Sequence, residues 1–248
     1  MESLAAIGRF SGFSLAVFQR LLFGPWYLSS TWKHCWLVFV RCLGPVVAVV
    51  FPFGMVMAVQ GLAIFELFGA HRMLSSLIAT AVLRELSPVL ASVLVAAQGG
   101  SSFAAELGSM RIKEEVDATE VMAVDSLSWH VVPRVLALVI ATPMLNLAGS
   151  VAGIAGGFFT AVFVKGEQGG VFLAELWTLA TPVDVFGGLL KTTVFGLLIG
   201  LVACYQGYTT SGGAAGVGRA VNDTVVYSVL VFISANWLMS SVLFGAGL

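Results

Sequence analysis

The chain has 248 residues, 58% of them hydrophobic and 10% charged, with a formal net charge of −1. An ordinary soluble domain is about 25% charged, and a mean hydropathy of +0.98 leaves too little polar surface to cover a globule, so the excess must face lipid. No basic stripe with interleaved aromatics exists, which excludes nucleic-acid binding. Cys35, Cys42 and Cys204 form no Cys-x-x-Cys, and His34, His71 and His130 stand apart from one another and from carboxylate clusters. Neither a disulfide framework nor a metal site is indicated.

Residues 1–43 lack the anatomy of a cleavable signal, because arginines interrupt the apolar stretch. They read as an interfacial amphipathic segment ahead of a transmembrane domain over 44–248. On a helix, Glu2, Arg9 and Arg20 fall within about 40° of one another, opposite Leu4, Ile7, Phe18, Leu21 and Leu22, as in a helix lying in the membrane surface. An additional short core helix is the alternative. Trp26, Tyr27, Trp32 and Trp36 suit headgroup depth.

Charge-free runs then extend from Leu43 to Phe65, Leu86 to Ala105, Val135 to Val164, Thr192 to Gly218 and Thr224 to Leu248. A helix needs roughly 20 residues to cross the hydrocarbon, so five spans are predicted. The runs lack the alternation of barrel strands and are too long for them. The fold class is an all-α polytopic membrane protein.

Span one, from about Gly44 to Phe65, contains Pro52, Gly54 and Gln60, which predicts a bend and one polar side chain turned into the bundle. Span two starts near Met73 and holds Arg84 and Glu85 just before Pro88, whose missing N–H predicts a kink at the carbonyl of residue 84. A charge at the bilayer centre costs at least about 2.5–3.5 kcal/mol, and adjacent helical positions point about 100° apart. Arg84 and Glu85 therefore need separate partners, with Lys191 of span four a candidate for Glu85. The pair is either a polar point in a substrate cavity or a structural lock between helices.

The connection after span two packs Glu106, Arg111, Lys113, Glu114, Glu115, Asp117, Glu120 and Asp125 into one short stretch. Ile112, Val116, Thr119 and Ala123 recur at helical spacing, with Lys113, Glu114, Asp117 and Glu120 on another face. That pattern predicts a short amphipathic helix over about 106–125, able to dock in a groove on a cytoplasmic protein. A solvated helix without a partner is the alternative.

Span three, from Val135 to Val164, carries Gly149, Gly153 and Gly157 at four-residue spacing, a ridge for close packing either across a dimer seam or within one protomer. Span four runs from about Val183 to Tyr205, with Asp184 at its outer end, and span five from about Thr224 to Phe244. The glycine-rich loop from Gly207 to Gly218 contains no phosphate cradle of the G-x-x-x-x-G-K-[ST] kind, nor does any other stretch. Arg9, Arg20, Lys33 and Arg41 precede span one, Arg111, Lys113 and Arg134 sit in the charged connection, and Arg219 lies in the fourth. Arg72 and Lys165 alone occupy the other side. This bias places the N-terminus and the charged connection in the cytoplasm and the C-terminus outside.

Three stretches carry a family resemblance: Val82-Leu83-Arg84-Glu85-Leu86-Ser87-Pro88-Val89; Ala104-Ala105-Glu106-Leu107-Gly108-Ser109-Met110-Arg111-Ile112 through Glu115 to Asp125; and Pro133-Arg134-Val135-Leu136-Ala137. With Tyr205-Gln206-Gly207-Tyr208 and Gly212 to Val221, they resemble the MlaE/YrbE permeases, the membrane subunits of lipid-moving ABC transporters that work with MCE-domain proteins. The resemblance covers nearly everything after residue 43. It implies a dimer of permease subunits, as a homodimer or with a paralogue, in the bacterial inner membrane. Two cytoplasmic ATPase subunits holding ATP and magnesium lie below it, and an MCE assembly above. It assigns Glu106, Arg111, Glu114, Glu115, Asp117 and Glu120 to a coupling helix seated on the ATPase. Arg84 and Glu85 are placed by a lipid cavity, with Gln60 in register and Lys191 beside Glu85. The chain itself would bind no cofactor or metal and catalyse nothing.

Two rivals make different demands. A stand-alone secondary transporter would use Arg84, Glu85, Asp184 and Lys191 as an ion-coupled relay and requires an inverted repeat, which the sequence does not show. A lipid-modifying membrane enzyme requires a nucleophile or metal grouping near the interface, and none is visible.

Overall fold

A computed structural model describes residues 2–24, 27–68 and 73–245. Trp26, His71 and Arg72 fall outside the described residues, as do the side chains of Glu2, Leu4 and Ile7. The described chain is almost wholly helical and contains no strand. Its helices are α1 (Glu2–Phe23), α2 (Leu28–Phe68), α3 (Leu74–Ala81), α4 (Ser87–Val95), α5 (Ser101–Ile112), α6 (Glu115–Val121), α7 (Val132–Phe159), α8 (Gly169–Leu179), α9 (Pro182–Tyr208) and α10 (Gly213–Phe244).

Five stretches are long and apolar enough to cross a membrane: Leu28–Phe65, Leu74–Ile112, Leu127–Val164, Pro182–Tyr208 and Gly213–Phe244. The protein is an all-α polytopic membrane protein with an N-terminal helix ahead of its spans. The first span is longer than its apolar run, because α2 continues back through Arg41 and Lys33 to Leu28. Residue 43, where the sequence parts the interfacial segment from the spans, lies inside this helix.

Four widened turns, over Val82–Leu86, Ala96–Gly100, Leu127–Val131 and Thr160–Val164, interrupt spans two and three. Two of them precede Pro88 and Pro133 closely. A proline offers no N–H to the carbonyl four residues back, and the helix answers by pairing one residue further along. The N–H of Ser87 accordingly donates to the carbonyl of Val82, and that of Val132 to Leu127.

The chain forms two compact units: residues 1–40, 95–141 and 194–235 make one, and residues 41–94, 142–193 and 236–248 the other. In the first, Val17 of α1 is buried with Leu107, Val131, Val132, Val135 and Cys204, flanked by Phe13 and Leu21. Phe10 and Phe13 meet the Tyr205 ring edge-on at 5.2 and 5.4 Å. α1 is therefore packed on protein along one side, while Phe18 and Leu22, on its predicted apolar face, remain exposed.

In the second unit, Ala58, Leu62, Leu74, Ile78, Val82, Ala161, Phe172 and Leu176 form the core. The glycine ridge of α7 lies in this unit. A Cβ on Gly149 would press on Val46, Val50 and Ser87, one on Gly153 on Val50 and Val82, and one on Gly157 on Ile78. Gly54 and Gly153 face each other so closely that a Cβ on Gly54 would overlap the Gly153 carbonyl. The ridge thus seats α7 against α2, α3 and the widened turn of its own chain.

Candidate functional site

The intramembrane charges converge in the second unit. Pro88 leaves the Arg84 carbonyl without its usual helical donor, and the Lys191 ammonium takes that place, donating to Arg84 O at 2.9 Å. The same ammonium donates to Glu85 Oε1 at 2.8 Å and to Ser240 Oγ at 2.6 Å. An ammonium has three donors, and all three are used. Lys191 is 0% exposed. Its approach depends on Gly188, one turn earlier on α9, where a Cβ would stand 2.8 Å from the Leu83 carbonyl.

Glu85 is held on both oxygens, by Lys191 and Ser240 at Oε1 and by Asn236 at 3.0 Å from Oε2. Arg84 turns the other way. Its Nε donates to Asp184 Oδ1 at 2.7 Å, and its guanidinium lies 4.7 Å from the Phe244 ring centroid. Asp184 sits in the first turn of α9, where the helix dipole favours an anion, and its Oδ2 accepts from the Thr181 N–H at 2.8 Å. The separate partners demanded by the angular divergence of adjacent positions are thus Asp184 and Lys191.

Both outer members remain partly open. The side chains of Arg84 and Glu85 are 36% and 45% exposed, against 1% and 0% for Asp184 and Lys191. A buried cation and a buried anion thus brace an exposed anion and an exposed cation. The exposed pair presents a polar spot on an otherwise apolar membrane surface. Gln60 is exposed on α2, and no hydrogen bond joins it to this cluster among the described residues.

The charged connection belongs to the first unit and is not one helix. α5 ends at Ile112, Glu114 takes the left-handed conformation at φ 62°, and α6 starts at Glu115. A second left-handed residue, Ala123 at φ 60°, closes the segment. Val116 is buried and anchors it, while Ile112 and Ala123, expected on the same face, are exposed. The break separates them from the helical repeat.

Five of the eight charges are cross-braced. Arg111 pairs with Asp117 and lies 5.7 Å from the centroid of the Tyr208 ring. Glu120 Oε1 accepts from Ser126 at 2.7 Å and from Tyr208 at 3.0 Å, and these hydrogen bonds, Ser126 first, hold its carboxyl below the usual range. Asp125 accepts from Arg20 of α1 at 2.5 Å and from Ser128 at 2.6 Å. Burial pushes the Asp125 carboxyl up, but these donors outweigh it and bring it below its ordinary value. Arg134 reaches Glu106 at 3.4 Å. Lys113, Glu114 and Glu115 make no ion pair among the described residues. Beside them Val121 and Met122 are 88% and 67% exposed.

Residues 31–242 match the family model described as Permease MlaE. The chain belongs to the MlaE permease family. It is 36% identical to a probable ABC transporter permease protein of Rickettsia bellii over 239 residues, covering 96% of this chain and 92% of the relative. It is 33% identical to the intermembrane phospholipid transport system permease protein MlaE of Haemophilus influenzae, over 78% of this chain and 75% of that one. The chloroplastic protein TRIGALACTOSYLDIACYLGLYCEROL 1 of Arabidopsis thaliana is 35% identical over 78% of this chain and 56% of its own length. The role of such a permease subunit is transport rather than catalysis.

In this permease, the sequence pointed to Lys191 for Glu85, 106 positions away, but missed other distant partners. Arg20 and Asp125 are 105 positions apart, and Glu85 and Asn236 are 151 apart. Asp184 carried a signal in its position, an acid at the first turn of an apolar helix whose one cation, Lys191, lies two turns further in. The prolines signalled which carbonyl would need a foreign donor.

Proposed function

We propose that this permease moves lipids between the membrane and an MCE-protein assembly, driven by ATP hydrolysis in a separate cytoplasmic ATPase dimer. The observation that carries this reading is the ridge of Lys113, Glu114, Glu115, Val121 and Met122, which is left unpaired on a connection otherwise tied to α1, α7 and α9. A surface with apolar tips and free carboxylates, mounted on a braced frame between spans two and three, suits a partner that pushes on both spans. ATP and magnesium reside in that partner.

The membrane is the bacterial inner membrane, and the lysine and arginine bias of the connections supports an N-terminus inside and a C-terminus outside. A second permease subunit, identical or paralogous, completes the lipid cavity, because in a single chain Arg84 and Glu85 open onto the surface. There the guanidinium and carboxylate face a lipid headgroup while Lys191 and Asp184 act behind them. Gln60 lines the same cavity. The name of the Haemophilus relative supports phospholipid as the cargo class.

The test is affinity purification of the tagged permease from its native membrane in mild detergent. Recovery of an ATPase and an MCE-domain protein in stable proportion is expected, with lipid transfer that requires ATP. Lipid or ion movement by the purified permease alone, driven by an ion gradient, would overturn the proposal in favour of a secondary transporter.

A further inference from the structure

The two open members of the charge cluster differ in sign and in what they still have to offer. A guanidinium carries five N–H donors. Arg84 uses one, from Nε to Asp184 Oδ1, and its Nη groups make no hydrogen bond among the described residues. A carboxylate accepts at about four positions. Glu85 has three of them filled, by Lys191 and Ser240 at Oε1 and by Asn236 at Oε2, which leaves one at Oε2. With Arg84 36% and Glu85 45% exposed, a fork of donors and a single charged acceptor open side by side.

The fork is fixed before any ligand arrives. Asp184 pins one edge of the guanidinium, and the Phe244 ring centroid lies 4.7 Å from its centre. The same ring stands 5.0 Å from the Lys191 ammonium, so it rests against both cations. Its tip sits in a notch on α9, where a Cβ on Gly187 would come within 2.8 Å of Phe244 Cζ. With a ring against the guanidinium and an acid on one edge, the outer edge is left for an oxyanion, which it meets with two parallel N–H groups.

Charge balance narrows the ligand. Arg84 and Lys191 are matched by Asp184 and Glu85, so the cluster is neutral. A bound anion alone would leave uncompensated charge at an apolar surface, where charge is costly, and so would a cation alone. A ligand carrying both signs keeps the balance, with its oxyanion on Arg84 and its cation on Glu85. Depth agrees with this. Asp184 lies in the first turn of α9 and Phe244 ends α10, which sets the cluster towards one membrane face, the level of lipid headgroups.

We propose that Arg84 and Glu85 select a zwitterionic phospholipid headgroup, whose phosphodiester bridges the Nη groups of Arg84 and whose primary ammonium donates to Glu85 Oε2. Phe244 is a positioning residue that holds the guanidinium for the phosphate. This rests on the lipid-moving reading above and adds to it the class of headgroup.

The test titrates the full-length permease in detergent with phosphatidylethanolamine, phosphatidylglycerol and N-acetylated phosphatidylethanolamine of matched acyl chains, and counts bound lipid by native mass spectrometry. The wild type should retain the first at least about fivefold better than the other two, the scale of one partly exposed hydrogen bond to a charged group. Glu85→Gln should erase that preference, and the N-acetylated lipid makes the same cut on the ligand with the protein unaltered. Phe244→Leu should weaken all three lipids several-fold at an unchanged melting temperature, as should Gly187→Ala, which pushes the ring from its notch without removing it. Phe244→Tyr should bind as the wild type does. Equal retention of the three lipids by the wild type, or a preference that survives Glu85→Gln, overturns the headgroup selection and leaves the lipid-moving reading in place. Undiminished binding by both Phe244→Leu and Gly187→Ala overturns the role of the ring. Retention of none of the lipids by the wild type overturns the selection and the lipid-moving reading together.

Discussion

The ammonium of Lys191 lies 2.9 Å from the main-chain oxygen of Arg84, the carbonyl that Pro88 deprives of its helical donor. A side chain on α9 thus completes the backbone of span two and grips the neighbouring Glu85 with the same group. Lys191→Met leaves the Arg84 carbonyl unpaired inside the protein and takes the cation from Glu85, which keeps Asn236 and Ser240 and is 45% exposed, and is expected to destabilise the protein by about 1–3 kcal/mol. Combining it with Glu85→Gln should restore part of the loss, because the stranded charge is then gone. Unfolding in detergent measures both, and a single variant as stable as wild type would refute the bracing role.

The charged connection separates into residues that hold it and residues that are free. Glu114→Lys with Glu115→Lys should weaken ATPase recovery at least about tenfold by placing like charge against the partner's complementary surface, with membrane insertion and melting unchanged. Asp117→Lys should behave differently, lowering stability by removing the partner of Arg111. Full ATPase recovery and coupled transport with the double variant would show that the docking surface lies elsewhere.

The Glu120 carboxyl titrates below its ordinary value of 4.5, because Ser126 and then Tyr208 donate to its charged form. A depressed folded-state value means that this junction contributes stability fully above the unfolded value and loses it as pH falls through the folded one. Carbon NMR of glutamate-labelled protein should place the Glu120 midpoint below 4.5. Ser126→Ala should raise it more than Tyr208→Phe. A midpoint indifferent to both changes would contradict these hydrogen bonds.

Gly44 and Gly54 are both inside α2, yet alanine should act on them in opposite directions. At Gly44 nothing lies within 4 Å of an added Cβ, so alanine gains about 0.5–1 kcal/mol of helix preference. At Gly54 the added Cβ meets the Gly153 carbonyl, and forcing α2 from α7 should cost about 1–3 kcal/mol. Paired thermal melts decide it, and equal shifts would mean the two helices are not in close contact there.

The sequence made the spans legible because lipid demands long uncharged helices, and it made the Arg84–Glu85–Pro88 kink legible because charge and proline are both costly in that setting. The Lys191–Glu85 pair followed from the same cost. The continuation of α2 to Leu28 was hidden because Arg41 and Lys33 end the charge-free run without ending the helix. The break at Glu114 was hidden too, since no glycine marks a left-handed corner there. Arg20 looked like part of a polar stripe turned away from the lipid, and only the packing of Phe10, Phe13 and Val17 shows why it meets Asp125.

Fully buried and with its ammonium donating to three acceptors, Lys191 has no free lone pair to offer a reagent. An amine-acylating probe should modify the exposed Lys33, Lys113 and Lys165 and pass over this fourth lysine for as long as α9 and the widened turn stay together. The permease thereby carries its own chemical clock for the opening of its membrane core, readable from a single peptide.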